Sequence, residues 1–265
     1  MRYTIDHDMH IHTNISICSK DPEQIPDTIL RHAQKYGLKT VVVTDHFWDE
    51  AVDGIKPDYY AIQNFEHISK NLPLPKTEGV RFLFGCEADM NFDNVIGVSE
   101  SRFDEFGFIV IPTTHWHLKK IIKDEVKPSD ELRVKTWFEK FDALLDSRLP
   151  LHKTGIAHIL CRAIARGKPV YAAFLDMLPT SELERVFTKA AEKGLGIEVN
   201  YGDMLYDADE EDAVLRIFKI AKGCGCKFYL GSDAHKPQDL EDSIAVFDRA
   251  IDKIGLEEKD KFILK

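Results

Sequence analysis

Short apolar runs rich in β-branched residues recur along the chain and alternate with segments whose apolar residues fall at helical spacing. The runs lie in YTIDHDMHIH (3–12), LKTVVVTDH (38–46), VRFLFGCE (80–87), FGFIVIPTTH (106–115), KTGIAHIL (153–160), LGIEVN (195–200) and CKFYLGSDAH (226–235), which predicts seven strands. Between them, 21–37 carries Ile25, Ile29, Leu30 and Ala33 on one face and stops at Gly37. Further helical segments are 58–71, 129–145, 181–193, 209–222 and 237–254. TSELERVFTKAAEKG opens on Thr and Ser ahead of acidic residues and closes on Gly, as a capped helix does. Strands apolar on both faces and joined by crossover helices make a parallel sheet. This many units in 265 residues predict a closed or nearly closed α/β barrel, with an open doubly wound sheet as the alternative. No repeat or Ser/Gly-rich linker divides the chain, so residues 1–265 are expected to form a single domain.

The polar residues that interrupt this pattern are concentrated at strand ends. His10 and His12 close the first run, His46 the second, Glu87 the third, His115 the fourth and His158 the fifth, while Asp233 and His235 follow the last. In a parallel barrel the carboxyl ends of all strands open on one face, so these eight residues are expected to converge. Residues i and i+2 of a strand share a side, which lets His10 and His12 hold one ion and pairs Asp233 with His235. Asp8 has the same parity and is a candidate to orient a histidine ring, as Asp45 is for His46. Glu87 after an apolar run is costly to bury without a cation, and Asp89 competes for its role. His115 is favoured over His117 because it comes first after the apolar run. A lone His158 would ordinarily read as a hydrogen-bonded core residue; eight such residues at six strand ends do not.

Imidazole with carboxylate suits Zn²⁺, Mn²⁺ or Fe²⁺, whereas Mg²⁺ and Ca²⁺ call for mostly oxygen donors. At four to six donors per ion with a bridging carboxylate, the count predicts two or three divalent ions. Composition narrows the rest. With 44% hydrophobic and 30% charged residues the chain reads as a soluble globular protein, and a formal charge of −10 disfavours a nucleic-acid partner. No signal-like start or bilayer-length apolar run is present, so a cytoplasmic location and no membrane partner are expected. Five cysteines form no C-x-x-C pair; CGC at 224–226 reads as a turn entering a strand.

The ordered set DMHIHT, TDH, GCE, THW, the isolated His158 and GSDAH resembles the motifs of the polymerase and histidinol phosphatase (PHP) superfamily, over residues 8–235. The resemblance implies a distorted seven-stranded TIM-like (β/α) barrel with up to three metals at its C-terminal face and hydrolysis of phosphate esters. It implies that His10, His12, Glu87 and Asp233 surround one ion, that Glu87 bridges to a second held by His115 and His158, and that His46 and His235 hold a third. Many members complete the third site with a histidine about eight residues after the first of the H-x-H pair; here that residue is Cys18, either a thiolate ligand or a non-ligating buried cysteine. Glu198 and Asn200 of IEVN would support or line the pocket. Where histidinol phosphate phosphatases often place a basic residue after that strand, YGDMLYDADEED supplies acids, which speaks against histidinol phosphate itself.

The expected activity is hydrolysis of a small-molecule phosphate monoester, histidinol-phosphatase-like in type, by in-line attack of a metal-activated water. Glu87 and Asp233 are the expected metal-bridging and water-orienting residues. Arg162, His117 and Asn200 are candidate substrate contacts, with Lys153 and Arg166 as rivals. Two alternatives remain: an amidohydrolase-type metal-dependent hydrolase, and a metal-binding regulatory protein altered in catalysis.

Overall fold

The computed structural model describes residues 1–54, 62–115, 129–165 and 168–264. All strand pairs that form ladders are parallel. β1 (His7–Ile11), β2 (Thr40–Val43) and β4 (Arg81–Phe84) form one sheet in the order β1-β2-β4. β3 (His46–Phe47), β5 (Cys86–Ala88), β6 (Ile109–Pro112), β7 (Thr154–Ala157), β8 (Gly196–Asn200) and β9 (Lys227–Gly231) form a second, in that order.

Two of the expected strands are therefore each divided. In 81–88 the division falls at Gly85, whose amide donates to Val43 O while the next amide, of Cys86, donates to Phe108 O. A Cβ at Gly85 would stand 2.5 Å from Phe108 O, so only glycine lets the strand bend against its neighbour there. In 40–47 the division falls at Thr44 and Asp45, where Thr44 N bonds to Ile11 O and Glu87 N to Asp45 O. The observed arrangement is a parallel α/β fold whose strands are hydrogen-bonded as two sheets rather than as one closed seven-stranded ring.

The helices are α1 (Pro26–Tyr36), α2 (Phe65–Ile68), α3 (Asp130–Leu145), α4 (Lys168–Met177), α5 (Thr180–Lys193), α6 (Glu211–Gly223) and α7 (Pro237–Ile254). Within 58–71 the described part holds only the single turn of α2 and a 3₁₀ turn, Ser69–Asn71, shorter than the spacing predicts. α4 was not expected, because its apolar residues run almost continuously and leave no clean helical stripe. Among the described residues no helix is long and apolar enough to cross a membrane.

Both faces of β6 are buried, in two different cores. Ile109 and Ile111 of β6 pack with Trp137, Phe141, Phe187 and Phe218 of the helices, while Val110 between them joins Met9, Val42, Phe108, Ala157, Tyr229 and Phe262 on the other face. Gly155 makes room for this second cluster, since a Cβ there would lie 2.4 Å from the Tyr229 ring. An apolar floor thus lies against the strands, and the polar residues gather where the strands end.

Candidate metal centre

Glu87 is 1% exposed and stands at the middle of the convergence. Its Oε1 lies 3.0 Å from His158 Nε2 and 3.9 Å from His115 Nε2. Its Oε2 lies 2.9 Å from His46 Nδ1, 3.3 Å from His12 Nε2 and 3.7 Å from His10 Nε2. The two carboxylate oxygens therefore face different sets of imidazoles. Asp233 Oδ1 adds contacts of 3.0 Å to His12 Nε2 and 3.5 Å to His10 Nε2. Among the described residues four donor groups result, each with possible ligand atoms within 4.8 Å of one another: His10, His12 and Asp233; His12, His46 and Glu87; Glu87, His115 and His158; and His12, Cys18 and His235.

Neighbouring side chains decide which ring nitrogen is left open. Glu198 Oε1 accepts from His10 Nδ1 at 2.7 Å, Asp89 Oδ1 from His115 Nδ1 at 2.6 Å, and the Asp233 carbonyl from His235 Nδ1 at 2.6 Å. Thr114 Oγ1 donates to His158 O, so it accepts from His158 Nδ1. With Nδ1 protonated, the Nε2 of each ring carries a lone pair. Those lone pairs then point at one another and at carboxylates: His10 Nε2 and His12 Nε2 are 3.3 Å apart, and His158 Nε2 meets Glu87 Oε1. Such nitrogens facing one another and carboxylates in a buried site are matched by a proton or a metal ion between them. Glu87 Oε2 and Asp89 Oδ2 are buried with no hydrogen-bond partner, although His46 Nδ1 lies within 3.4 Å of both. The donor set and its orphaned oxygens fit divalent ions.

The electrostatics agree. Burial alone would push the carboxyl of Glu87 up, but His46 and His10 hold it well below the usual carboxylate range; His10, His12 and His235 do the same for Asp233. Burial alone would lower the imidazoles, yet Glu198, Asp233 and Glu87 raise His10, and Glu87 raises His158 to about 10. Cys18 is raised by burial and lowered more strongly by His12, His235 and His46, to well below the ordinary thiol range. Positive charge is drawn into this centre by protons when ions are absent.

Two backbone positions of the centre carry strain. His158 and Asp233 have φ of 27° and 52°, the left-handed region that non-glycine residues avoid at a cost of about 1–3 kcal/mol. Both lie at strand ends and both aim ligand atoms into the centre. Glu198 holds the first of them by accepting from the His158 amide at 2.6 Å.

Other expected roles fall out differently. Asp8 hydrogen-bonds backbone and not an imidazole ring among the described residues: its Oδ1 accepts from the amides of Ser232 and His10. Asp45 accepts from Thr13 N, Thr13 Oγ1 and Asn71 Nδ2 rather than from His46. Asp89 sits behind His115 instead of replacing Glu87. Asn200 Oδ1 accepts from Gly202 N and Asp203 N, and its buried Nδ2 has no hydrogen-bond partner. Arg162 is engaged by Glu210 Oε1 at 2.9 Å and lies over the Tyr171 ring, so its guanidinium is held by the acidic loop. Lys153 donates to Phe103 O and Phe106 O. His117 and Arg166 lie outside the described residues. Cys226 Sγ lies 3.1 Å from Phe187 O, in the expected turn region. The sequence reading missed Ser16 and Thr114, hydroxyls whose ring-orienting roles depend on backbone folding that spacing does not encode.

A scan of protein-family models finds no match, and neither does a search of curated proteins. Solved structures do match. A histidinol phosphate phosphatase from Lactococcus lactis, in complex with zinc, L-histidinol and phosphate, is 16% identical with a TM-score of 0.62, over 98% of this chain and 99% of that one. A candidate histidinol phosphatase from Listeria monocytogenes is 13% identical with a TM-score of 0.61, over 88% of this chain and 96% of that one. The chain shares their α/β fold over nearly its whole length.

Proposed function

We propose that this chain is a metal-dependent phosphoesterase resembling the PHP superfamily, acting on a small-molecule phosphate monoester. The single observation that carries it is Glu87: one carboxylate, 1% exposed, presents Oε2 to His46, His12 and His10 and Oε1 to His158 and His115. That arrangement suits a bridging ligand between two ions, with His10, His12 and Asp233 on one side and His115 and His158 on the other. Cys18, His46 and His235 would serve a third. We take the seven expected strands as one barrel over a single domain, 1–265. Support comes from the backbone bonds Asp233 N to His10 O and His12 N to Ala234 O, which join β1 to the end of β9.

Divalent ions bound there would acidify a water molecule and neutralise charge on a phosphoryl group. The chain's own part is positional. Glu198, Asp89 and Thr114 fix the ring protons of His10, His115 and His158 away from the centre, and the apolar floor beneath excludes bulk water from that side. Asp233, held at positive φ, brings its carboxylate between the two histidines of β1 and its extension.

The test is to measure metal by plasma emission on protein purified without chelator and to assay p-nitrophenyl phosphate before and after chelation. Bound metal and chelator-sensitive turnover are expected, and Glu87→Gln should abolish turnover. A metal-free protein of intact fold, or hydrolysis of amides or lactones without phosphate esters, would overturn it. A screen of phosphorylated amino alcohols, sugars and nucleotides then identifies the substrate.

A further inference from the structure

The loop after β1 places one hydroxyl between two histidines and a cysteine. Ser16 is 2% exposed, and its Oγ lies 3.1 Å from His12 Nδ1, 3.3 Å from His46 N and 3.4 Å from Cys18 Sγ. A hydroxyl has one proton and two acceptor sites. The His46 amide can only donate, so it takes one acceptor site. His12 turns Nε2 toward Asp233 and Glu87; with an ion held on that Nε2, Nδ1 would keep the ring proton and take the other site. As a thiol, Cys18 Sγ donates to Ser16 Oγ; were the sulfur a thiolate holding an ion, the same hydroxyl would be placed to donate to it instead.

The loop is also pinned so that this sulfur stays in place. Gln24 Nε2 donates to His12 O at 2.8 Å, and Ser19 Oγ donates to His235 O at 2.7 Å, which ties the Cys18 segment to the β9 extension. Cys18 Sγ and the ligand atoms of His12 and His235 lie within 4.8 Å of one another. Because His12 Nε2 also faces Asp233 and Glu87, the donors peculiar to this corner are Cys18 and His235.

We propose that Ser16 and Cys18 make this corner a thiolate position that sorts metals, taking Zn²⁺ in preference to Mn²⁺, while the positions built from imidazole and carboxylate accept both. Softer sulfur donors favour Zn²⁺ over Mn²⁺, and Mn²⁺ favours oxygen. Ser16 is a positioning residue that acts through the sulfur and the His12 ring. The inference rests on the metal centre proposed above and adds that its positions are chemically unequal.

The test loads metal-free protein separately with Zn²⁺, Mn²⁺ and Co²⁺, removes excess ion, and reads metal content and the near-ultraviolet spectrum of the cobalt form. Wild type is expected to retain one more Zn²⁺ than Mn²⁺ and to show a sulfur-to-cobalt charge-transfer band. Cys18→Ser should lose the band and the extra Zn²⁺, Cys18→His should retain Zn²⁺ and Mn²⁺ equally, and circular dichroism verifies that both are folded. Ser16→Ala should weaken the extra Zn²⁺ by about 10- to 100-fold, with Ser16→Thr restoring it. Bound metal and phosphatase activity with no charge-transfer band, or with equal Zn²⁺ and Mn²⁺ counts in wild type, would overturn the metal-sorting corner alone. Failure to bind any of the three ions would overturn both it and the phosphoesterase.

Discussion

Glu198 shows how much of the centre depends on a single side chain that need not touch an ion. It is fully buried and spends one oxygen on His10 Nδ1 and the other on the His158 amide, so it sets a ring tautomer on β1 and a strained backbone at the end of β7. Both groups are donors. A glutamine in its place has one oxygen and one NH₂, so whichever way the amide turns, one donor faces another. Glu198→Gln should therefore lower metal affinity by about 10- to 100-fold while the fold persists, read by metal titration against a chelator with circular dichroism as control. Unchanged affinity would mean that the ring is fixed from elsewhere. The convergence of His10, His12, His46, Glu87, His115, His158, Asp233 and His235 was legible because strand parity and strand ends select them. The supports were not: Asp8, Asp45 and Asp89 are equally acidic neighbours of these residues, yet of the three only Asp89 hydrogen-bonds a ring. Away from the centre, Lys140 is 3% exposed, donates to Asn91 O, and is lowered by burial to about 8. Its folded state then binds fewer protons than the unfolded state from about pH 8 up to the ordinary lysine value of 10.5. Stability should rise with pH across that window, by up to about 3 kcal/mol, because the cost of burying the charge is lost as the amine neutralises. Denaturant unfolding of wild type and Lys140→Met should show that difference moving in favour of wild type as pH rises; a flat difference would refute it.

At the scale of elements, the centre exists because strands end together, and close approach between strands sets where they can end. β9 passes β8 and β1 so tightly at Gly231 that a Cβ would lie 1.9 Å from Glu198 Oε1 and 2.8 Å from His10 Cβ. Gly231→Ala must displace the carboxylate that orients His10, so metal content should fall in a protein that still folds. Gly37 ends α1 with φ of 70° and has no neighbour within 4 Å of a Cβ. Gly37→Ala should cost about 1–2 kcal/mol of stability through backbone strain alone and leave metal content unchanged. Metal analysis and thermal melts of the two variants separate crowding at the centre from a helix stop; metal loss in Gly37→Ala, or none in Gly231→Ala, would contradict this division. The apolar runs located the strands, and Gly37 was read correctly as a stop. What the runs did not carry was partner choice: nothing in VRFLFGCE says that bonding passes from β2 to β6 at Gly85. α4 escaped for a related reason, since a helix apolar on most sides has no stripe to find.

For the whole molecule, the centre gathers the ends of segments as far apart in sequence as β1 and β9, and this makes stability depend on what fills it. Spacing could indicate that the ligands converge, but not that an ion-free centre would be held by protons on imidazoles and by strained φ at His158 and Asp233. An ion that binds only the folded chain stabilises it by about 4 kcal/mol at a free concentration 1,000 times its dissociation constant. For a chain of this size that corresponds to a rise in Tm on the order of 10 °C. Chelation should therefore lower Tm by that order, and returning Zn²⁺ should restore it. Glu87→Gln removes the bridging charge with little change in volume, so its melting should respond far less to either treatment. The comparison isolates the centre from general effects of chelator, because both proteins share every other surface. If wild type lost all its metal without a change in Tm, the ends of the strands would be held by the apolar cores and the His10–Glu198–His158 links alone, and the ions would contribute chemistry but not cohesion.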